Sequence, residues 1–364
     1  MKLTVDKDSF IEVLSSASNF TSNRLSTVPT LQGVLIKVEK KIAHVYATNL
    51  NAYFYTTFSV EIEESLQFII EPRKVIEFIS LLSPGKLEFD LSDKQIKITQ
   101  QKTKGNFPLI VADDFPLPPA IEEKEQKIES NFLLQNLPFI VFAASSDDTR
   151  PALTGVNFLT QDDLLLVATD GFRLSLVKTK KESSFPSCII PAAFLSELMK
   201  YLKTAKMVSF VYSPKEKMVC FTIDNTKLYS RLIDGEFPAF EKVIPTEKVS
   251  TAIVSKDEVL RNVKLISVFA RDYSNVIIME FSKEGLRLRP KVEGGDENVT
   301  HQDITLEGED QRVAFNYRYV LDFLQHIDDK NVVVELLRSN APVVFKPEKN
   351  SAVLHIIMPV RLQE

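Results

Sequence analysis

Residues suited to metal binding and redox chemistry are scarce in this chain of 364 residues, which has two cysteines and four histidines. Cys188 and Cys220 lie in separate apolar, strand-like runs, a placement that suits small side chains in a reducing compartment and not a disulfide framework. His44, His301, His326 and His355 lack metal-ligand spacing and have no cysteine pair beside them. Glycine is scarce too, at ten residues. Thr169-Asp170-Gly171 follows the apolar run 164–167 but lacks the glycine spacing and the lysine of a phosphate loop; it reads as a strand–turn–strand with glycine at a positive-φ position. No Ser, His and Asp set assembles from local signatures. No run approaches the roughly 18 apolar residues of a membrane span, and Met1-Lys2-Leu3-Thr4-Val5-Asp6 offers no apolar stretch of a secretory signal. An excess of positive charge is also missing. The 44 Lys and Arg against 49 Asp and Glu give a net charge of −5, which excludes a strongly basic nucleic-acid coat but not a chain that is acidic outside and basic inside. These absences predict a soluble cytoplasmic protein without enzymatic activity, metal or cofactor.

What the chain does have is repetition. Ile69-Ile70-Glu71-Pro72-Arg73-Lys74-Val75-Ile76-Glu77-Phe78-Ile79 is echoed from Ile189 and again from Ala314, at offsets of 120 and 125 residues. Val75, Phe78, Ile79 and Leu82 match Leu195, Leu198, Met199 and Leu202, then Val320, Phe323, Leu324 and Ile327, so one apolar helical stripe occurs three times. Each copy also opens with a strand and a helix, over residues 7–17, 131–144 and 256–270, the last with Ser255 placed as N-cap. Alternating runs at 87–91, 207–211 and 332–337 read as strands. Pro29-Thr30-Leu31-Gln32-Gly33-Val34 matches Pro151-Ala152-Leu153-Thr154-Gly155-Val156, and Ala47-Thr48-Asn49 matches Ala168-Thr169-Asp170; in the third copy this stretch has drifted to Ser274-Asn275-Val276-Ile277. Proline-rich, charged stretches at 115–127 and 237–247 read as extended linkers. The predicted fold is α+β, with domains at 1–121, 122–245 and 246–364, each carrying two helices packed on antiparallel sheet.

Four strings then converge. Asp148-Thr149-Arg150-Pro151-Ala152-Leu153-Thr154-Gly155-Val156, Ala168-Thr169-Asp170-Gly171-Phe172-Arg173-Leu174-Ser175, Asp234-Gly235-Glu236-Phe237-Pro238 and Met358-Pro359-Val360-Arg361-Leu362 together resemble the bacterial sliding clamp family, the beta subunit of DNA polymerase III. The resemblance runs in order over the whole chain. It implies the DNA clamp fold, a six-domain ring formed by a head-to-tail homodimer, threaded by duplex DNA without sequence preference, opened by an ATP-driven clamp loader and tethering the replicative polymerase. Net negative charge suits such a ring, because retention comes from topology and not from tight phosphate contacts.

The resemblance also assigns residues. A groove for a short motif resembling Gln-Leu-Ser-Leu-Phe would involve Arg150, Leu153, Thr169, Gly171, Phe172, Arg173, Leu174, Pro238, Lys242, Val243, Pro342, Ile356, Met358, Pro359, Val360, Arg361 and Leu362. Leu153, Leu174, Val243, Met358 and Val360 would supply its apolar pocket and Arg150 and Arg173 would position peptide carbonyls. The competing reading makes 358–362 the last core strand. DNA-facing candidates are Arg24, Arg73, Lys74, Lys200, Lys203, Lys206, Arg261, Lys264 and Arg318, for each of which ordinary solubility is the alternative. Phe107, Leu109 and Phe269 are candidates for the dimer interface or, alternatively, for intradomain core. Two rivals stand beside the clamp: a three-domain interaction scaffold that never closes on DNA, and a metal-dependent phosphoester hydrolase using Asp147, Asp148 and Asp170.

Overall fold

The computed structural model describes residues 2–22, 28–62, 65–111, 114–180, 185–272, 274–291 and 297–361. The first two modules share one order of elements, strand, helix, three strands, strand, helix, three strands, and the third follows it with one more strand between its helices. The first module comprises β1 (Lys2–Asp6), α1 (Lys7–Ser18), β2 (Val34–Glu39), β3 (Ile42–Thr48), β4 (Ala52–Ser59), β5 (Leu66–Ile70), α2 (Pro72–Ser80), β6 (Lys86–Leu91), β7 (Gln95–Gln100) and β8 (Thr103–Pro108). The second repeats it with β9 (Gln126–Glu129), α3 (Ser130–Asn136), β10 (Gly155–Thr160), β11 (Asp163–Thr169), β12 (Arg173–Lys180), β13 (Cys188–Pro191), α4 (Ala192–Leu202), β14 (Met207–Ser213), β15 (Met218–Ile223) and β16 (Thr226–Arg231). In the third, β17 (Ser250–Ser255), α5 (Lys256–Ala270), β18 (Val276–Ser282), β19 (Gly285–Pro290), β20 (Thr300–Gln302) and β21 (Ile304–Glu307) precede β22 (Gln311–Asn316), α6 (Tyr317–Gln325), β23 (Asn331–Leu336), β24 (Val343–Pro347) and β25 (Val353–Ile357). The drifted sequence of the third copy therefore still forms a strand, β18, because alternate residues Ile277, Met279 and Phe281 bury themselves in the core under the helices.

Helix starts follow local chemistry. Asp6 caps α1 by accepting from Ser9 N at 3.0 Å, Glu71 caps α2 with Pro72 at its first position, and the Asn316 amide oxygen accepts from Arg318 N at 3.1 Å ahead of α6. Ser255 occupies the cap position of α5 but its side chain makes no capping bond. The helix expected over 131–144 stops at Asn136 and continues as two 3₁₀ turns, Leu137–Phe139 and Val141–Ala143. Pro138 is the reason: it brings no N–H, and its ring collides with the carbonyl four residues back.

By contact the chain divides into two compact units, Met1–Phe132 with Glu197–Leu232, and Leu133–Ser196 with Ile233–Glu364. The module count and the unit count differ because sheets are shared along the chain. In the first unit an eight-stranded sheet runs β5-β2-β3-β4-β16-β15-β14-β9, so β4 of the first module pairs antiparallel with β16 of the second. In the second unit a nine-stranded sheet runs β13-β10-β11-β12-β25-β24-β23-β17-β21, with β12 paired to β25. Each unit also holds a four-stranded sheet, β1-β6-β7-β8 or β20-β19-β18-β22.

Both cores are aromatic-rich. Phe10 of α1 meets Phe89 edge-on at 4.9 Å in the first unit, and Phe323 of α6 lies against Phe345 at 5.9 Å in the second. The cysteines are free, Cys220 buried and Cys188 half-buried; burial pushes the Cys188 thiol up to about 12 and Cys220 up to about 11.

Candidate functional site

The groove residues centre on the turn between β11 and β12. Asp170 Oδ1 accepts from Phe172 N at 2.9 Å and Arg173 N at 3.0 Å, while the Thr169 hydroxyl donates to Arg173 O at 2.5 Å and accepts from Gly171 N at 3.1 Å. Gly171 takes φ +94°, a conformation that favours glycine, and a Cβ there would stand 3.3 Å from Arg150 Nη1, so a larger residue would have to displace the arginine slightly. Arg150 is held in turn by Asp147, Nε to Oδ2 at 3.0 Å. Phe172 is left at the tip, 58% exposed.

Backbone pairing brings the C-terminal segment to this turn. Arg173 lies opposite Ile357 and Leu174 opposite Ile356, and beyond the last strand Met358 N donates to Phe172 O at 2.8 Å. Val360 N then donates to Ala314 O at 2.8 Å, its side chain packs on Val276, Ile278 and Ala314, and Lys291 Nζ donates to Arg361 O at 3.1 Å. Met358, Pro359 and Val360 are half-buried and Arg361 exposed; Leu362 lies outside the described residues. The segment is thus neither a core strand nor free: it extends past β25 with its backbone pinned and its side chains partly open.

The expected apolar pocket is only partly a surface. Leu174 and Ile356 are 3% and 0% exposed and belong to a cluster with Val167, Val344 and Phe240, which Phe237 and Ile244 cover further. Leu153 and Thr169 are buried as well. Pro238, Lys242 and Val243 are exposed on the segment that crosses this cluster, where Phe240–Val243 forms a 3₁₀ turn. Pro342 lines a cleft of about 240 Å³ with Pro245 and Val344. Of the expected apolar groove residues, Phe172 and Val243 are therefore exposed and Met358, Pro359 and Val360 half-buried, whereas Leu153, Leu174 and Ile356 are buried.

Arg173 does not face outward, contrary to the expectation that it positions peptide carbonyls. Its side chain is 10% exposed and wholly engaged: Nε donates to Asp170 Oδ2 at 3.1 Å, Nη1 to Asp322 Oδ2, and Nη2 to the Phe142 carbonyl at 2.7 Å. The guanidinium also lies over the rings of Tyr319 at 4.7 Å and Phe142 at 5.6 Å. Beneath it, His355 is fully buried, stacked on Phe323 at 5.0 Å, with Nδ1 2.6 Å from the Ser175 hydroxyl. Burial, and then the charges of Arg173 and His326, hold the His355 pKa well below the ordinary imidazole value. Phe142, Tyr319 and Asp322 escaped the sequence reading because their relation to Arg173 is tertiary; the Phe237, Phe240 and Ile244 spacing was the one visible signal that the linker covers an apolar face.

The basic candidates Arg73, Lys74, Lys200, Lys203, Lys206, Arg261, Lys264 and Arg318 are all exposed. Arg73 and Lys74 sit at the start of α2 and Arg318 at the start of α6, whereas Arg261 and Lys264 share a face of α5. Lys200 pairs with Glu197 at 2.6 Å and Arg261 with Glu258 at 3.7 Å. Arg24 lies outside the described residues. Phe107, on the edge strand β8, packs its ring 5.4 Å from Phe78; Leu109 follows that strand, and Phe269 is 44% exposed beside the exposed Leu265 and Val268 of α5.

Two of the three carboxylates of the hydrolase reading, Asp147 and Asp170, are committed to their own turns. Asp147 Oδ1 accepts from the backbone and hydroxyl of Thr149, bonds that hold its pKa below the usual carboxylate range, and Asp170 caps the turn described above. Among the described residues, no three His, Cys, Asp or Glu side chains group in a way that would hold a metal, and no helix is long and apolar enough to cross a membrane.

The repeated module and its shared sheets define a DNA clamp architecture. Residues 1–119, 127–239 and 241–361 match, in order, the N-terminal, central and C-terminal domains of the DNA polymerase III beta subunit, and the chain belongs to that family. Among curated relatives, the beta sliding clamps of Halalkalibacterium halodurans and Staphylococcus epidermidis are 26% and 29% identical, each alignment covering at least 99% of both chains. Among solved structures, the DNA polymerase III beta subunit of Thermotoga maritima matches with a TM-score of 0.89 at 26% identity, and a sliding clamp of Bartonella birtlesii bound to griselimycin with 0.90 at 26%, both covering 100% of each chain.

Proposed function

We propose that this chain is a DNA polymerase processivity clamp: two copies close head to tail into a ring of six modules around duplex DNA, which slides without catalysis in the cytoplasm. The observation that carries this reading is the threefold module, matched in order by all three domains of the family over nearly the whole chain. Domain bounds of 1–121, 122–245 and 246–364 follow from the repeat. Exposed cations at the helix starts and on α5 suit weak, exchangeable phosphate contacts that permit sliding. The edge strand β8 and the exposed apolar residues of α5 suit the joint between protomers, through Phe107, Leu109 and Phe269.

Partner proteins, including the polymerase and the clamp loader, dock through the short motif at the surface formed by Phe172, Val243, Met358, Pro359 and Val360, with Arg150 at its rim. A fluorescent peptide containing Gln-Leu-Ser-Leu-Phe, titrated with the protein and followed by anisotropy, tests this. Saturable binding that vanishes when the ligand's Leu and Phe are replaced by Ala is expected; equal binding of the control peptide would remove the groove from the proposal.

A further inference from the structure

The β4–β16 junction of the first unit copies the β12–β25 junction bond for bond. Asn49 Oδ1 accepts from Asn51 N and Ala52 N as Asp170 does from Phe172 and Arg173, and the Thr48 hydroxyl donates to Ala52 O at 2.9 Å as Thr169 does to Arg173 O. Leu50 takes φ +72° where Gly171 takes +94°, and Arg231 N donates to Asn51 O at 2.8 Å where Met358 N donates to Phe172 O. The backbone that carries the partner groove thus exists a second time.

Its side chains are of another chemistry. Strand register equates Val167, Leu174, Leu176 and Ile356 with Tyr46, Tyr53, Tyr55 and Tyr229. By the same register Leu165 becomes His44, and Leu159 and Leu354 become Lys37 and Lys227. An apolar face has been exchanged for hydroxyls, an imidazole and cations, with Arg231 in the place of Met358. Among the described residues no ion pair engages Lys37, Lys227 or Arg231; Glu39 and Glu125 border the face near Tyr46 and Cys220.

We infer that this face is a second docking surface, whose occupant is an acidic peptide segment of a partner protein. Carboxylates match Lys37, Lys227 and Arg231, the last also donating through Nε to Leu50 O at 3.0 Å, and the half-buried Tyr46, while Tyr53 is buried and the Tyr55 hydroxyl meets His44; the strand-end geometry is the one proposed for peptide at the other junction, a reading on which this inference rests. Stacked nucleobases suit it less, because the rings already pack on each other: Tyr46 on Tyr55 at 4.9 Å, and His44 on Tyr55 with Nδ1 3.0 Å from the hydroxyl.

The test titrates the full-length protein against a fluorescein-labelled peptide of alternating Asp and Glu at low ionic strength, with oligothymidylate and the Gln-Leu-Ser-Leu-Phe peptide measured in parallel. Saturable binding of the acidic peptide, about tenfold weaker in Lys37→Gln/Lys227→Gln, with unchanged affinity for the Gln-Leu-Ser-Leu-Phe peptide, is the expected result. Absence of saturable binding, equal binding by the variant, or preference for oligothymidylate would each overturn it. Failure of the Gln-Leu-Ser-Leu-Phe peptide on the unmodified protein would instead strike the groove reading alone.

Discussion

Arg173 ties the β11–β12 turn to α6, and its removal has a calculable cost. The side chain is 10% exposed and donates to two carboxylates and one carbonyl, whereas Asp322 is 37% exposed and regains water when the arginine is lost. Hydrogen bonds to charged groups contribute roughly 1.5–3 kcal/mol each, but rehydration of the freed carboxylates returns part of that, which puts Arg173→Ala at about 3 kcal/mol. For a unit of this size the thermal transition falls by about 6–12 °C. Arg173→Lys does not restore it, because a single ammonium cannot reach three acceptors in a fixed fork. Asp322→Asn keeps the contact without the charge and lowers stability by about 1 kcal/mol. Differential scanning calorimetry reads all three, and anisotropy with the Gln-Leu-Ser-Leu-Phe peptide shows weakened binding as Phe172 and Leu174 lose their anchor. A transition for Arg173→Ala within about 1 °C of the unmodified protein would refute this role.

Three further outcomes are expected. Because His355 is held neutral when folded and titrates normally when unfolded, the unfolded chain binds more protons below about pH 6.5; stability is complete above that pH and falls by up to roughly 1.4 kcal/mol per pH unit as acid is added. His355→Phe, which keeps the stack on Phe323, flattens this slope in thermal melts between pH 7 and pH 5, and an unchanged slope would exclude the histidine as its source. Cys188 and Cys220 stay unreactive toward Ellman's reagent at pH 8 until the protein is denatured, since burial raises both thiols; rapid labelling of the folded chain would contradict their placement. Phe172→Ala with Met358→Ala abolishes binding of the Gln-Leu-Ser-Leu-Phe peptide while the melting transition stays within a few degrees, whereas Leu174→Ala, at 3% exposure, costs about 2–5 kcal/mol of stability as well; peptide binding undiminished in the double variant would move the site elsewhere.

The helices were readable because each carries its own apolar stripe, and Val75, Leu195 and Val320 do sit buried at matching positions. The sheets were not, since the pairing of β4 with β16 and of β12 with β25 joins strands well over a hundred residues apart, which no periodicity reports. Pro138 shortened α3 by a rule visible in the sequence, yet the apolar spacing through residue 144 outweighed it in the reading. Within the site, the family resemblance placed Leu174 in the apolar pocket but could not say that it is buried in one cluster with Phe240. Arg173 was read as a ligand-facing residue for a similar reason: its type was visible, and its engagement by Asp322 and Phe142 was not.

The most direct test of a ring that holds DNA by topology is retention on a nicked circular plasmid, loaded by a bacterial clamp loader with ATP and passed over a gel-filtration column in high salt. Protein that travels with the circle and is released when the plasmid is cut to a linear form is the expected result. Retention that survives linearisation, or none on the circle, would contradict the proposed function.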